Sequence, residues 1–184
     1  MRARNAAATR EAILNSALEA FTRAGYDGVG VREIAQAAGV TAMLVNRYFG
    51  SKEGLFAEVV DAAMTDRTVL TSDPETLAAD IAAALVQRTA PGAERLDPFL
   101  LMLRSAPNPR AAEILRAGIE RHVEKHLTDV LPAGRGTEGP ALALAVIAGF
   151  WVMRTLVGST ELNRADEAVV RKKLEKVFGV LLAE

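Results

Sequence analysis

Val31 to Phe56, V-R-E-I-A-Q-A-A-G-V-T-A-M-L-V-N-R-Y-F-G-S-K-E-G-L-F, decides how the rest of the chain is read. Val31, Ile34, Ala35 and Ala38 keep helical spacing, and Gly39 stands where a helix ends in a left-handed residue. Val40 gives the turn an apolar plug. Thr41 can cap the next helix through its hydroxyl, and Leu44, Val45 and Tyr48 continue an inward stripe along it. A third helix opens straight afterwards. Two short helices joined by a tight turn containing Gly form a helix-turn-helix, the arrangement that lays its second helix in the major groove of DNA.

These residues also carry a family resemblance. The pattern I-A-x-x-A-G-V-[ST]-x-x-x-[LV]-x-x-[YH]-F-x-S-K-E-x-L resembles the N-terminal signature of TetR-type transcriptional regulators. It is met here by Ile34, Ala35, Ala38, Gly39, Val40, Thr41, Val45, Tyr48, Phe49, Ser51, Lys52, Glu53 and Leu55. Upstream, A-T-R-E-A-I-L-N-S-A-L-E-A-F-T-R-A-G-Y-D-G is similar to the first helix of that family and its Gly-Tyr exit. The likeness spans roughly the first third of the chain, far more than a bare helix-turn-helix pattern. It implies an all-α protein, with a three-helix DNA-binding domain in residues 1–50 and a helical ligand-binding and dimerisation domain in residues 51–184. It further implies a homodimer on a near-palindromic operator, released by a small apolar or amphipathic effector, with repression as the family's tendency.

The resemblance also assigns site residues. Ala42, Met43 and Asn46 occupy positions that face base edges in such regulators. Asn can pair bidentately with adenine, while Ala and Met can touch a thymine methyl. Asn46 departs from the pattern, which usually has a phosphate-binding Tyr there, so its role stays open. Arg47, Tyr48, Thr41 and Lys52 are phosphate candidates. Lys52 lies in the first turn of a helix, where backbone N–H groups also point at an anion. Tyr48 can pack its ring and still reach a phosphate with its hydroxyl. Gly30 replaces the Thr or Ser usual at the start of the second helix. It caps only a few tenths of a kcal/mol less well than Ser but lacks the hydroxyl contact, and Arg32 is expected to replace part of it. Arg2, Arg4 and Arg10 read either as a basic arm along DNA or as a loose terminus. Phe21, Ile34, Val40, Val45, Phe49 and Leu55 read as core.

Composition agrees with a helical chain. Of 184 residues half are apolar and only 5% aromatic, and no stretch alternates with a period of two, so no sheet is expected. The net charge of −1 hides an asymmetry. Residues 1–54 hold seven Lys/Arg against five Asp/Glu, and the remainder fifteen against eighteen, so the positive end is the one expected to meet DNA. The absence of Cys excludes disulfides and thiolate metal sites and is compatible with a reducing cytosol. M-R-A-R-N-A-A-A-T-R has no apolar core and does not read as a secretory signal. The apolar run Ala141 to Val157 contains Arg154 and falls short of the roughly 20 residues of a membrane span. A cytoplasmic protein with no membrane partner is expected.

Asp73-Pro74, Asp97-Pro98 and Asn108-Pro109 each place a capping side chain before a proline suited to a first helical turn. With apolar periodicity they predict nine helices, over about residues 9–24, 31–38, 42–48, 52–68, 74–89, 97–105, 109–131, 138–158 and 165–182. Helix 138–158 is apolar nearly all round and is expected to be buried on both sides. Its small residues Ala141, Ala145, Ala148 and Gly149 suit close approach of a second helix. Val170, Leu174, Val177, Phe178 and Leu181 form a stripe on the last helix, and the resemblance implies that the two helices pair with their symmetry mates, the alternative being that both pack within a monomer.

Phe99, Met102, Leu103, Leu115, Ile119, Phe150, Trp151 and Met153 could line an adaptable apolar pocket, although each taken alone reads more readily as ordinary core or interface. Arg154 reads either as an anchor for an anionic or carbonyl-bearing effector or as half of a structural ion pair. His122 and His126 share a helix face at metal-compatible spacing, but no third ligand accompanies them, and no metal or cofactor is expected. No acid–base pair, activated nucleophile or phosphate-cradling Gly loop supports an enzyme. The competing reading is a helical small-molecule carrier or enzyme with an incidental helix-turn-helix.

Overall fold

The structure, a computed structural model, describes residues 2–65, 73–92, 98–124, 130 and 138–183, and among them every regular element is helical. The α-helices are α1 (Arg2–Ala24), α2 (Val31–Ala37), α3 (Ala42–Phe49), α4 (Lys52–Thr65), α5 (Leu77–Arg88), α6 (Pro98–Ser105), α7 (Pro109–Ile119), α8 (Glu138–Trp151), α9 (Thr160–Arg164) and α10 (Glu167–Ala183). Single π-helical turns extend α7 over Glu120–Glu124 and α8 over Val152–Leu156.

The chain divides into two compact units. The first comprises Met1–Arg67 and Leu96–His122, the second Thr68–Arg95 and Val123–Glu184. In the first, α1 packs on α4 and α6, and α4 packs on α7. Its centre is an aromatic cluster. Phe21 meets Phe56 edge-on at 5.1 Å between ring centroids, and Tyr26 meets Phe56 at 5.0 Å. Gly118 lets α7 approach α4, since a Cβ there would strike Val60. In the second unit, α5 and α8 pack on α10 over Leu77, Ile81, Ala82, Leu85, Val86, Ala143, Leu174, Phe178 and Leu182.

Several predicted boundaries move. The Ala-rich start of the chain carries α1 back to Arg2. At Asp73-Pro74 the Asp73 carboxylate accepts from the Glu75 N–H at 2.9 Å. That local bond holds a turn, and α5 begins only at Leu77. The predicted helix 138–158 changes to π geometry at Val152, where the Val157 N–H donates to the Val152 carbonyl at 2.9 Å. The predicted final helix begins at Glu167, with the short α9 ahead of it. Asp97, His126 and the predicted helix ends at 66–68, 125–129 and 131 lie outside the described residues.

One expectation for the body, on α10, needs correction. Helix 138–156 is 19 residues long and apolar enough to cross a membrane by length and composition, yet only 22% of it is buried. One side carries the buried Ala143, Trp151 and Arg154. The other leaves Ala141, Leu142, Ala145, Gly149, Met153 and Leu156 exposed. Within one chain it is thus buried on one side, and the side expected to meet a second helix is exposed. On α10 four of the five residues of the predicted interface stripe turn inward, and Val177 stays exposed. Leu174 and Phe178 belong to the unit's own core, and Val170 and Leu181 pack against it. The large apolar residues that α10 exposes are Val169, Val177 and Val180.

Candidate nucleic-acid interface

The helix-turn-helix is built by local rules. Gly30 starts α2 from an extended conformation with no side-chain cap, its carbonyl accepting from Glu33 and Ile34. Gly39 takes φ +68, the left-handed conformation that a tight exit from α2 requires. The Thr41 hydroxyl accepts from the Leu44 N–H at 3.4 Å and starts α3. Gly50, at φ +77, ends α3, and the Ser51 hydroxyl accepts from the Gly54 N–H at 3.1 Å to start α4.

Val45 and Phe49 anchor α3 inward, which turns Met43, Asn46 and Arg47 outward together. Met43 is 82% exposed, the most exposed of the large apolar side chains described. An apolar side chain so placed on a polar helix face suits contact with a surface that α3 itself does not provide. Ala42 and Tyr48 flank this face half-buried, Thr41 is exposed on the preceding turn, and Arg32 is exposed in the first turn of α2. Of the predicted arm, Arg10 belongs to α1, where it pairs with Glu58 and lies over the Phe49 ring at 5.1 Å. It is a brace between helices rather than a free arm.

Lys52 is placed with more care than its motif suggests. Its ammonium sits 4.4 Å from the centroid of the Tyr26 ring, a cation–π contact that holds a flexible side chain. The Tyr26 hydroxyl donates to Glu53 at 3.0 Å. Burial, followed by that bond to Glu53, pushes the Tyr26 phenol up to about 12. Glu53 is held below the usual carboxylate range by its own backbone N–H, then by Ser51 and Tyr26.

Sequence reasoning missed the residues that fix this head from the α6–α7 corner. The Arg104 guanidinium donates to the Thr22 and Arg23 carbonyls at 2.8 and 2.6 Å. The Ser105 hydroxyl accepts from the Tyr26 N–H at 3.1 Å, and the Asn108 amide donates to Asp27 at 2.9 Å. A family model described as "Bacterial regulatory proteins, tetR family" matches residues 13–59, and one described as "Tetracyclin repressor-like, C-terminal domain" matches residues 75–182, more than half of the chain.

The chain belongs to the tetR family.

As such it is a transcriptional regulator that binds DNA through its helix-turn-helix. This TetR-family regulator is similar to the HTH-type transcriptional regulatory protein RaaS of Mycobacterium tuberculosis, 60% identical over 43 residues, or 23% of this chain and 20% of that protein. It is similar over most of its length to the HTH-type transcriptional regulator BetI of Burkholderia cenocepacia, 23% identical over 168 residues, or 85% and 87% of the two chains. Its fold is shared with the multidrug binding protein EbrR, solved in complex with ethidium, at a TM-score of 0.67 and 20% identity over 92% and 98% of the two chains.

The residues predicted to line an effector pocket fall in both units. Phe99, Met102, Leu103, Leu115 and Ile119 lie in the first, with Leu115 buried and Leu103 exposed. Phe150, Trp151, Met153 and Arg154 lie in the second, with Trp151 buried and Met153 exposed. Arg154, 3% exposed, donates to the Val86 carbonyl and the Thr89 hydroxyl at 3.1 Å each and to Glu167 at 2.8 Å. Its ion-pair reading is the one the structure shows. His122 bonds Asp61 at 3.0 Å beside the Arg121–Asp61 pair at 2.7 Å, which gives it a structural partner.

Proposed function

We propose that this regulator is a homodimeric repressor that binds a near-palindromic operator and is released by a small apolar or amphipathic effector. Residues 1–50 serve as its DNA-binding domain and residues 51–184 as the domain for effector binding and dimerisation. The observation that carries the dimer is the uncovered apolar side of α8, with Ala141, Ala145 and Gly149 in line and Leu142, Met153 and Leu156 beside them. Nothing lies within 4 Å of a Cβ placed on Gly149. A side so apolar is costly to leave in water, and its small residues admit a helix at close range. A symmetric pair would present two α3 helices to successive major grooves, about 34 Å apart.

On the DNA, Met43, Asn46 and Ala42 are assigned to base edges, and Arg47, Tyr48, Thr41, Lys52 and Arg32 to phosphates. The ring beneath the Lys52 ammonium supports its role as a positioned charge. An effector is supported by EbrR, a protein of the same fold that holds ethidium. Phe150 and Trp151 are the aromatic candidates in the second unit. Because the ligand of the head is chromosomal DNA, the proposed place of action is the cytoplasm.

The test is a binding selection on random-sequence DNA with the purified protein at moderate salt. An enriched palindrome with a fixed half-site spacing is expected. Enrichment of single half-sites without a spacing would overturn the dimer, and uniform recovery of all sequences would overturn operator recognition.

A further inference from the structure

α1 ends at Ala24 with its last carbonyls lacking partners within the helix. One of them, Phe21, is satisfied by the Gly25 N–H at 2.8 Å. The next two, Thr22 and Arg23, are satisfied by a single nitrogen of Arg104, more than 80 residues away. A guanidinium at the negative end of a helix is favourably placed for charge as well as for hydrogen bonding. Ser105, 1% exposed, then takes the Tyr26 N–H.

Asn108 does two things at once. Its amide oxygen accepts from the Ala111 N–H at 3.0 Å and caps α7, while its amide nitrogen donates to Asp27. An Asp or Ser would cap α7 as well, but neither would serve Asp27 in this way: a carboxylate there meets Asp27 with like charge. Gly25, at φ +74, lies so close that a Cβ would strike the Arg104 carbonyl. The chain therefore approaches the α6–α7 corner backbone to backbone, and it leads directly into the buried Val29 and the start of α2.

We propose that Arg104, Ser105 and Asn108 are positioning residues of the DNA-binding head: by holding residues 22–27 they set the direction in which α2 and α3 leave α1, and so where α3 meets the groove. Functionally the head thus includes a corner that lies about 50 residues beyond its motif. The operator arm of the test rests on the dimeric reading above; the exchange arm does not.

The experiment compares Asn108→Asp, Arg104→Met and two rescues, Arg104→Lys and the exchanged pair Asp27→Asn with Asn108→Asp, in the full chain. Arg104→Lys keeps a donor that can reach both carbonyls. The exchanged pair restores one donor and one acceptor across the same contact. Amide hydrogen exchange over residues 25–30 is expected to accelerate about tenfold or more in Asn108→Asp and Arg104→Met, as for loss of a charge-assisted or buried hydrogen bond, and to return toward the unmodified rate in the rescues. On operators with varied spacing between half-sites, the same two variants should lose most of their spacing preference while base preference within a half-site is kept.

If Asn108→Asp exchanges like the unmodified protein, Asn108 is a cap for α7 alone and the proposal fails. If exchange accelerates but the spacing preference stays as sharp as before, the corner stabilises the loop without positioning the head, and the proposal again fails. Should the unmodified protein show no spacing preference, the dimer reading is what fails. The proposal is then decided by exchange and by affinity for a single half-site, which must fall in both variants and recover in both rescues.

Discussion

In the first unit, elements are tied together by polar atoms of distant residues, with Arg104 on the end of α1, Asn108 on Asp27 just beyond it, and Arg10 in the middle of α1 on Glu58 of α4. In the second, α5, α8 and α10 meet over aliphatic side chains and Phe178, with Arg154 as the main polar tie described. Hydrogen bonds have direction, and apolar contact has very little. The first arrangement suits a unit that must present one helix face at a set angle. The second suits one that must bury apolar surface, first against itself and then, on the proposed reading, against a second copy.

The largest effect should separate the two apolar sides of α10. Phe178→Ala is expected to cost about 3–5 kcal/mol, as for a fully buried aromatic residue. Val177→Ala, one residue away and 42% exposed, should cost less than about 1 kcal/mol in a dissociated chain. Denaturant melts at low protein concentration would check both. Equal losses would mean that both sides of α10 belong to one core and would break the comparison.

That pair also shows what was legible in the sequence. Gly39, Thr41 and Asn108 could be read because a cap acts within three or four residues. The stripe on α10 was misassigned because a helix apolar on two sides has a period but no label for which side meets its own chain. The bonds from Arg104, Ser105 and Asn108 to residues 22–27 have no local signal at all. The π turn at Arg154 was hidden for a similar reason, since one extra residue leaves the apolar composition of helix 138–158 unchanged.

Next in size is the exposed side of α8. Ala145→Arg should leave the helical circular dichroism spectrum intact and weaken self-association about a hundredfold or more, because it puts a charge where two helices would meet. Sedimentation at graded concentrations would measure it. A variant that associates as tightly as the unmodified protein would move the dimer surface elsewhere.

Within the head, Asn46→Ala should cost roughly 1–3 kcal/mol on the best site and relax the preference at particular bases. Lys52→Ala should weaken all DNA sequences alike and reduce the salt slope by about one, since one phosphate charge is lost. Titrations against matched and altered operators at several salt concentrations distinguish the two. If both variants weaken every sequence equally, Asn46 binds the backbone as the usual Tyr at that position would.

The smallest effect tests the platform beneath Lys52. In the folded chain the Tyr26 phenol is pushed up to about 12 from an ordinary 10.0, by burial and then by its bond to Glu53. Between those two values the unfolded chain has released this proton while the folded chain still holds it, so stability must fall as pH rises through that window. Tyr26→Phe keeps the ring under Lys52 and removes the ionisable group, and its stability should decline less steeply there than that of the unmodified protein. On the acid side the sign reverses. Glu53, held low, adds stability that is present above the usual carboxylate range and is lost as pH falls through its folded value. Without the phenol one of the bonds holding it low is gone, so the acid decline should also flatten, while the bonds from its own N–H and from Ser51 remain. Melts of both proteins across acid and alkaline pH would show this, and parallel curves at both ends would mean that Tyr26 supports Lys52 through its ring alone.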